Sequence, residues 1–188
     1  MKNNIKNSIG VIIVIACSTL FSCATIQQTQ LKSSDAAGHN NRGFDYYQIG
    51  RYDQAISEFS KAIEINPRLA IPYNNRGAAY LSKGEYEQAI LDLSKAIEIR
   101  PRLALAYSNR GWAYIKEWQY DQAISDFNKT IEIDPRFVEA YFYRAVVYFL
   151  VEEYDKSLLD VIKAQQLGYQ IPIEFLDELR KAAGGIGM

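Results

Sequence analysis

The sequence predicts an all-α solenoid of four helix-turn-helix repeats with a C-terminal capping helix. Three observations carry this. First, residues recur at a fixed step of 34: Arg42-Gly43, Arg76-Gly77 and Arg110-Gly111, then Arg144-Ala145, with Tyr46, Tyr80, Tyr114 and Tyr148, and Tyr52, Tyr86, Tyr120 and Tyr154. Repetition on this scale marks a stacked array in which each unit buries its apolar face on its neighbour. Second, small and apolar residues within each unit fall at helical spacing in two blocks separated by a short polar turn. Third, Pro67, Pro101 and Pro135 close three units at the same step, and the residue before a proline is pushed out of helical geometry.

From the N-terminus, residues 1–22 read as a targeting segment. Lys2 and Lys6 precede an apolar run of 13 residues, Ile9 to Phe21. A helix needs about 20 residues to span a bilayer, so the pattern reads as a secretory signal. An amphipathic or core helix at the N-terminus is the alternative, and the run is apolar all round with no polar face. Leu20-Phe21-Ser22-Cys23 resembles a bacterial lipobox, in which a small residue precedes a cysteine that becomes lipidated. Val14-Ile15-Ala16-Cys17 fits the same pattern and stands as the alternative; Cys23 is preferred because cleavage there leaves no free thiol. The resemblance implies a multiply acylated, palmitate-bearing chain held in the bacterial envelope. Ala24, standing where aspartate favours inner-membrane retention, implies the outer membrane, facing the periplasm. Residues 23–35 then form the lipidated cysteine and a polar, flexible tether.

The repeats are placed at 36–69, 70–103, 104–137 and 138–171. In the second, Pro72 suits a first helical turn, where a missing N–H costs little. Tyr73, Gly77, Tyr80 and Leu81 make one stripe, and Lys83-Gly84-Glu85 makes the turn. Tyr86, Ala89, Ile90, Leu93, Ala96 and Ile97 make the second stripe, and Arg100-Pro101 ends it. Gly77 and Ala89 are small where two helices must approach closely. Residues 172–188 supply the cap and tail: Pro172 starts a helix, Ile173, Leu176 and Leu179 cover the fourth repeat, and Gly184 to Gly187 end it.

These units resemble the tetratricopeptide repeat (TPR) family. Tyr73, Gly77, Tyr80, Ala89, Leu93, Ala96 and Pro101 match its pattern in the second repeat, and Tyr107, Gly111, Tyr114, Ala123, Phe127 and Pro135 in the third, where Thr130 replaces the last alanine. His39 takes the aromatic position of the first. The fourth departs most, with Ala145, Ser157, Val161 and Tyr169 in place of glycine, alanine, the aromatic and proline. The resemblance covers residues 36–171.

Composition narrows the function. Hydrophobic residues make up 48% and charged residues 23%, as in a folded chain, and the formal charge of -1 gives no basic excess for nucleic acid. One histidine, His39, and two cysteines are too few for a Cys/His zinc site or a disulfide scaffold. No Gly-rich phosphate loop, nucleophile elbow or metal-spaced ligand set occurs. The expectation is therefore a non-enzyme without cofactor or metal.

The resemblance implies that the inner face of each first helix carries a peptide or protein partner. Mapped by repeat position, that groove is Asn41, Phe44 and Tyr47; Ile71, Asn74, Asn75, Ala78 and Leu81; Leu105, Ser108, Asn109, Trp112 and Ile115; and Glu139, Phe142, Tyr143, Val146 and Phe149. Asn41, Asn75 and Asn109 recur at 34, and amides both donate and accept, so they either pair with an extended segment or brace neighbouring repeats. Trp112 is either an anchor or a packing residue. Trp118, at the position of Gly50 and Gly84, either contacts a partner on the rim or packs over the next repeat. Arg42, Arg76, Arg110 and Arg144 each precede an acid by 16 residues, Glu58, Asp92, Asp126 and Asp160, and fork-like pairing suits Arg; a basic groove stripe is the rival. Few groove positions are cationic, so a clamp for a terminal carboxylate is not expected. The expected role is an adaptor that holds a protein partner at the envelope membrane. The alternative is a structural protein that self-assembles through the groove or the last repeat.

Overall fold

The computed structural model describes residues 34–184. Cys17, Cys23, the targeting segment and most of the tether lie outside the described residues. The first helix, α1, spans 34–48, so residues 34 and 35, assigned to the tether, are already helical. There follow α2 Tyr52–Ile65, α3 Ala70–Lys83, α4 Tyr86–Ile99, α5 Ala104–Lys116, α6 Tyr120–Ile133, α7 Val138–Leu150, α8 Tyr154–Gln166 and α9 Ile173–Ala182. Among the described residues every element is helical. From α2 onward each helix packs on the next, and α5 also touches α3 and α7 along the inner side of the array.

The pairing within each repeat rests on one small-to-large contact. A Cβ on Gly77 would lie 2.7 Å from Leu93 Cγ, and one on Gly111 2.9 Å from the Phe127 ring. Leu93 and Phe127 are fully buried in these seats. The fourth repeat keeps the volume by exchange, since the wider Ala145 faces the smaller Val161, both buried. Two other departures from the family pattern are also satisfied in place. Buried Ser157 donates to the Ala145 carbonyl at 2.8 Å, and Thr130 donates to the Asp126 carbonyl at 2.9 Å.

The turns within repeats need a left-handed residue. Gly50 and Gly84 supply it with φ of 73° and 79°, as glycine does at no steric cost. The third and fourth repeats use Trp118 at φ 59° and Glu152 at φ 63°. Asp53, Glu87, Asp121 and Asp155 in the first turns of α2, α4, α6 and α8 complement the helix dipole. Between repeats, Tyr107 and Tyr141 donate to the carbonyls of Pro101 and Pro135 at 3.3 and 3.2 Å, tying each loop to the next helix.

The cap differs from expectation. Pro172 precedes α9, and Leu179 is buried against Ala145 and Val161, but Ile173 is 58% exposed. Phe175 does the covering instead, its ring 5.6 Å from Phe142 and 5.5 Å from Phe149. Ile173 is the first residue of α9, two places before Phe175, and that spacing puts it on a different side of the helix.

Candidate functional site: the concave face and its supports

Arginines on the first helix of each pair turn into the helix interface. Arg76 Nε and Nη2 lie 2.6 and 2.8 Å from the Asp92 oxygens, Arg110 makes both bonds to Asp126 at 2.8 Å, and Arg144 makes both to Asp160 at 2.7 Å. These are fork-on-fork pairs, the strongest arrangement for Arg and carboxylate. The remaining nitrogen reaches back one repeat: Arg76 Nη1 to Ser60, Arg110 Nη1 to Ser94 and Arg144 Nη1 to Asn128. Tyr107 and Tyr114 flank Arg110 at 5.7 Å, and Tyr141 and Tyr148 flank Arg144 at 5.8 Å. The Asp92 hydrogen bonds hold the Arg76 pKa above its ordinary value, against the opposing effect of burial.

The first repeat pairs differently. Glu58 accepts from Lys61 Nζ at 2.6 Å and Arg42 Nε at 3.0 Å, and lies 2.7 Å from His39 Nδ1. Arg42 Nη2 lies 2.8 Å from that same ring nitrogen. One nitrogen cannot donate to Glu58 and accept from Arg42 at once, so the histidine proton selects its partner. The Lys61 hydrogen bond, helped by those of His39 and Arg42 and opposed by burial, lowers the Glu58 pKa to about 2.

The concave face gathers several of the expected groove residues. Phe44, Tyr47, Asn74, Asn75, Leu105 and Asn109 line a cleft of about 190 Å³, together with Ala78 and Phe59. Small-molecule sites run to roughly 300–1,000 Å³, so this cleft suits one side chain. Phe44 and Leu105 are each 45% exposed, leaving apolar surface at its rim.

The amides form a directed chain. Asn109 Nδ2 donates to Asn74 Oδ1 at 3.2 Å, Asn74 Nδ2 to Asn75 Oδ1 at 3.1 Å, and Asn75 Nδ2 to Asn40 Oδ1 at 3.0 Å. The contacts between repeats therefore run at a step of 35, joining neighbouring columns, and not at 34. Asn74 is 2% exposed, whereas Asn41 is exposed and stands outside this chain. Asn40 is missing from the mapped set, although it precedes Asn74 by one full repeat.

The other mapped positions divide. Leu81 packs on the core around Ala89 and Leu93, and Ile115 on the core around Phe127. Ile71 is half-buried and does not line the cleft. The Trp112 ring lies 5.0 Å from that of Tyr143, tilted by 38°, with Lys116 Nζ 4.7 Å above the indole. Tyr143 also meets Phe127 at 5.9 Å, and burial raises its phenol pKa. Phe142 and Phe149 are covered by Phe175, and Tyr169 stacks on Phe142 at 4.9 Å. The inner face of the fourth repeat is thus partly covered by the chain's own C-terminal segment. Trp118 is 78% exposed rather than packed over the next repeat, with the Tyr120 ring 6.3 Å away, edge to face. Among the described residues no group of three or more His, Cys, Asp or Glu is placed to hold a metal ion, and no helix is long and apolar enough to cross a membrane.

Solved structures share this architecture. The crystal structure of MamA superposes with a TM-score of 0.67 at 28% identity, covering 71% of this chain and 78% of that one. The first TPR of Spaghetti (RPAP3), bound to the HSP90 peptide SRMEEVD, gives 0.62 at 25% identity over 63% of this chain and 94% of its own. TTC0263, a thermophilic TPR protein of Thermus thermophilus, gives 0.67 at 23% identity over 80% and 84%, a likeness of fold. No curated protein matches. The family model described as TPR repeat matches residues 43–84 and 77–117, and the tetratricopeptide repeat model matches 104–137. With the repeated helix pairs and their interlocking small and large residues, these matches establish that the chain belongs to the tetratricopeptide repeat family.

Proposed function

We propose that this protein is a noncovalent adaptor, anchored in a bacterial envelope, that holds a peptide segment of a protein partner on its concave face. TPR folds generally mediate protein–protein interaction and are typically non-enzymatic scaffolds. The observation that carries the reading is the cleft between α1, α3 and α5, where Phe44 and Leu105 keep apolar surface exposed beside Asn75 and Asn109. An apolar floor with a few placed polar groups is the ordinary make-up of a recognition site. The related TPR of Spaghetti binds a peptide, which supports the same class of ligand here.

The anchor is the lipid expected on Cys23, in the outer membrane facing the periplasm. Each buried acyl methylene contributes roughly 0.8 kcal/mol and stable anchoring takes more than one chain, which a multiply acylated cysteine provides. Labelled palmitate fed to expressing cells enters the chain and is lost on Cys23→Ala. Loss only on Cys17→Ala moves the anchor to that cysteine, and no incorporation in the parent removes the lipid. For the groove, crosslinking in envelope preparations compares the parent with Leu105→Asp, which places a charge at the cleft rim. A partner captured by the parent and lost by the folded variant supports the reading, and equal capture places the binding surface elsewhere.

A further inference from the structure

We propose that the cleft between α1, α3 and α5 selects an uncharged, extended segment that inserts one bulky apolar side chain between Phe44, Tyr47, Ala78 and Leu105. This rests on the groove reading above and names the ligand class of that site. Three observations converge on it.

The first is charge. None of the residues lining the cleft ionises to a charged form at neutral pH, as they are aromatic, aliphatic or amide. The nearby arginines are already committed, Arg76 to Asp92 and Arg110 to Asp126 through both of their forked nitrogens. Across the mapped groove the only formal charge is Glu139, and Lys116 lies over the Trp112 ring. A carboxylate or ammonium entering the cleft would lose water and meet no counter-charge, which is strongly unfavourable. Acidic segments and free terminal carboxylates are rejected on this ground.

The second is hydrogen bonding. The amide chain uses one N–H of Asn75 and one of Asn109, and each primary amide carries two. Each residue is half-buried, so the second N–H and a carbonyl lone pair can meet a ligand main chain. An extended segment has such groups to offer, whereas a helix satisfies its own internally. The same amides thus brace adjacent repeats and address the ligand.

The third is extent. Phe175 and Tyr169 pack on Phe142 and Phe149, so the chain itself covers part of the fourth repeat's inner face. The open stretch runs over the first three repeats, with the packed Trp112–Tyr143 pair as its far wall. A short segment fits this stretch.

The test selects binders of the full-length protein from a displayed library of random short peptides, presented with blocked and with free C-termini. The expected binders carry one large apolar residue in an uncharged context and tolerate blocking. They weaken about tenfold or more on Leu105→Asp, and change less than about twofold on raising salt through a range that screens surface charge. Circular dichroism confirms that the variant folds, and Ala78→Asp serves as a second variant. Binders lost in these variants but rich in Asp or Glu, or requiring a free carboxylate, overturn the inference while leaving the groove reading intact. Binders retained in both variants, or no binders, overturn the groove reading itself. Self-association of the protein that the selected peptides dissolve would make a second copy the occupant and overturn the inference.

Discussion

At the scale of single residues, the repeat pattern and its exceptions predict opposite signs for two substitutions. Trp118 holds φ 59° where Gly50 and Gly84 hold 73° and 79°. A left-handed conformation costs a residue with a Cβ roughly 1–2 kcal/mol, and Trp118 recovers little, being 78% exposed. Trp118→Gly therefore stabilises the chain by about 1 kcal/mol, read as a higher urea midpoint at unchanged slope; a lower midpoint would assign real packing energy to the Tyr120 contact. Gly77→Ala runs the other way. Ala gains about 1 kcal/mol of helix propensity, but its Cβ would sit 2.7 Å from Leu93 Cγ and 3.3 Å from the Ala89 carbonyl oxygen. Overpacking costs about 1–3 kcal/mol and wins because the Ala89 backbone cannot swing aside. Adding Leu93→Val recovers most of the loss, since Ala145 opposite Val161 is that arrangement in the fourth repeat. Failure of the double variant to recover would place the strain on the backbone contact. Glu58 sets a pH limit. Its carboxyl, ordinarily at 4.5, titrates at about 2 in the folded chain. A lowered folded pKa contributes stability that is fully present above the unfolded value and is lost as pH falls through the folded one. Stability should therefore decline between pH 4.5 and 2, and Glu58→Gln should flatten that part of the acid limb in pH-dependent unfolding.

At the scale of paired helices, the offset of 16 residues that seats Phe127 on Gly111 also joins Arg110 to Asp126. The two contacts lie one residue apart on both helices, so a single register serves packing and charge together. Asp126 is 4% exposed, and Arg110→Met leaves its carboxylate buried without a counter-charge. Breaking one partner of a buried pair costs about 3–5 kcal/mol, whereas replacing both by apolar residues is often close to neutral. The expected cycle is thus a large loss for Arg110→Met, with most of it restored by Arg110→Met combined with Asp126→Leu. Additive losses in chemical denaturation would mean that each side chain acts through its other contacts, Ser94 for the arginine above all. This level of organisation was legible in the sequence because it repeats: Arg, acid, glycine and aromatic return at one step in successive units. What was not legible breaks the period. The amide chain crosses between columns, joining Asn109 to Asn74 and Asn75 to Asn40, because adjacent helices meet with a stagger that a strict step of 34 does not reveal. Phe175 lies beyond the last repeat, where no preceding unit indicates which side chain of α9 faces inward.

At the scale of the whole molecule, the array has a direction and a deliberate end. Each of Arg76, Arg110 and Arg144 reaches back to Ser60, Ser94 or Asn128 on the helix before it. The corresponding residue of α8 is Ile162, which offers no acceptor to a further arginine. Beyond it, α9 lays Phe175 on Phe142 and Phe149 and Leu179 on Ala145 and Val161. The end is therefore closed chemically, by removal of the acceptor, and sterically, by the cap. This weighs against self-assembly that simply continues the solenoid through the last repeat. It also sets the expected effect of removing the cap. A chain ending at residue 171 exposes Phe142 and Phe149 together with the Ala145 and Val161 seats, and contiguous apolar surface of that kind promotes association. The truncated protein is expected to unfold at lower denaturant and to sediment as concentration-dependent oligomers where the full chain does not. Phe175→Asp, which keeps α9 while placing a charge against two phenyl rings, is expected to shift behaviour in the same direction by a smaller amount. If both variants stay monomeric with unchanged midpoints, α9 is a passenger on a fourth repeat that is stable alone, and the inner face of that repeat becomes available to a partner.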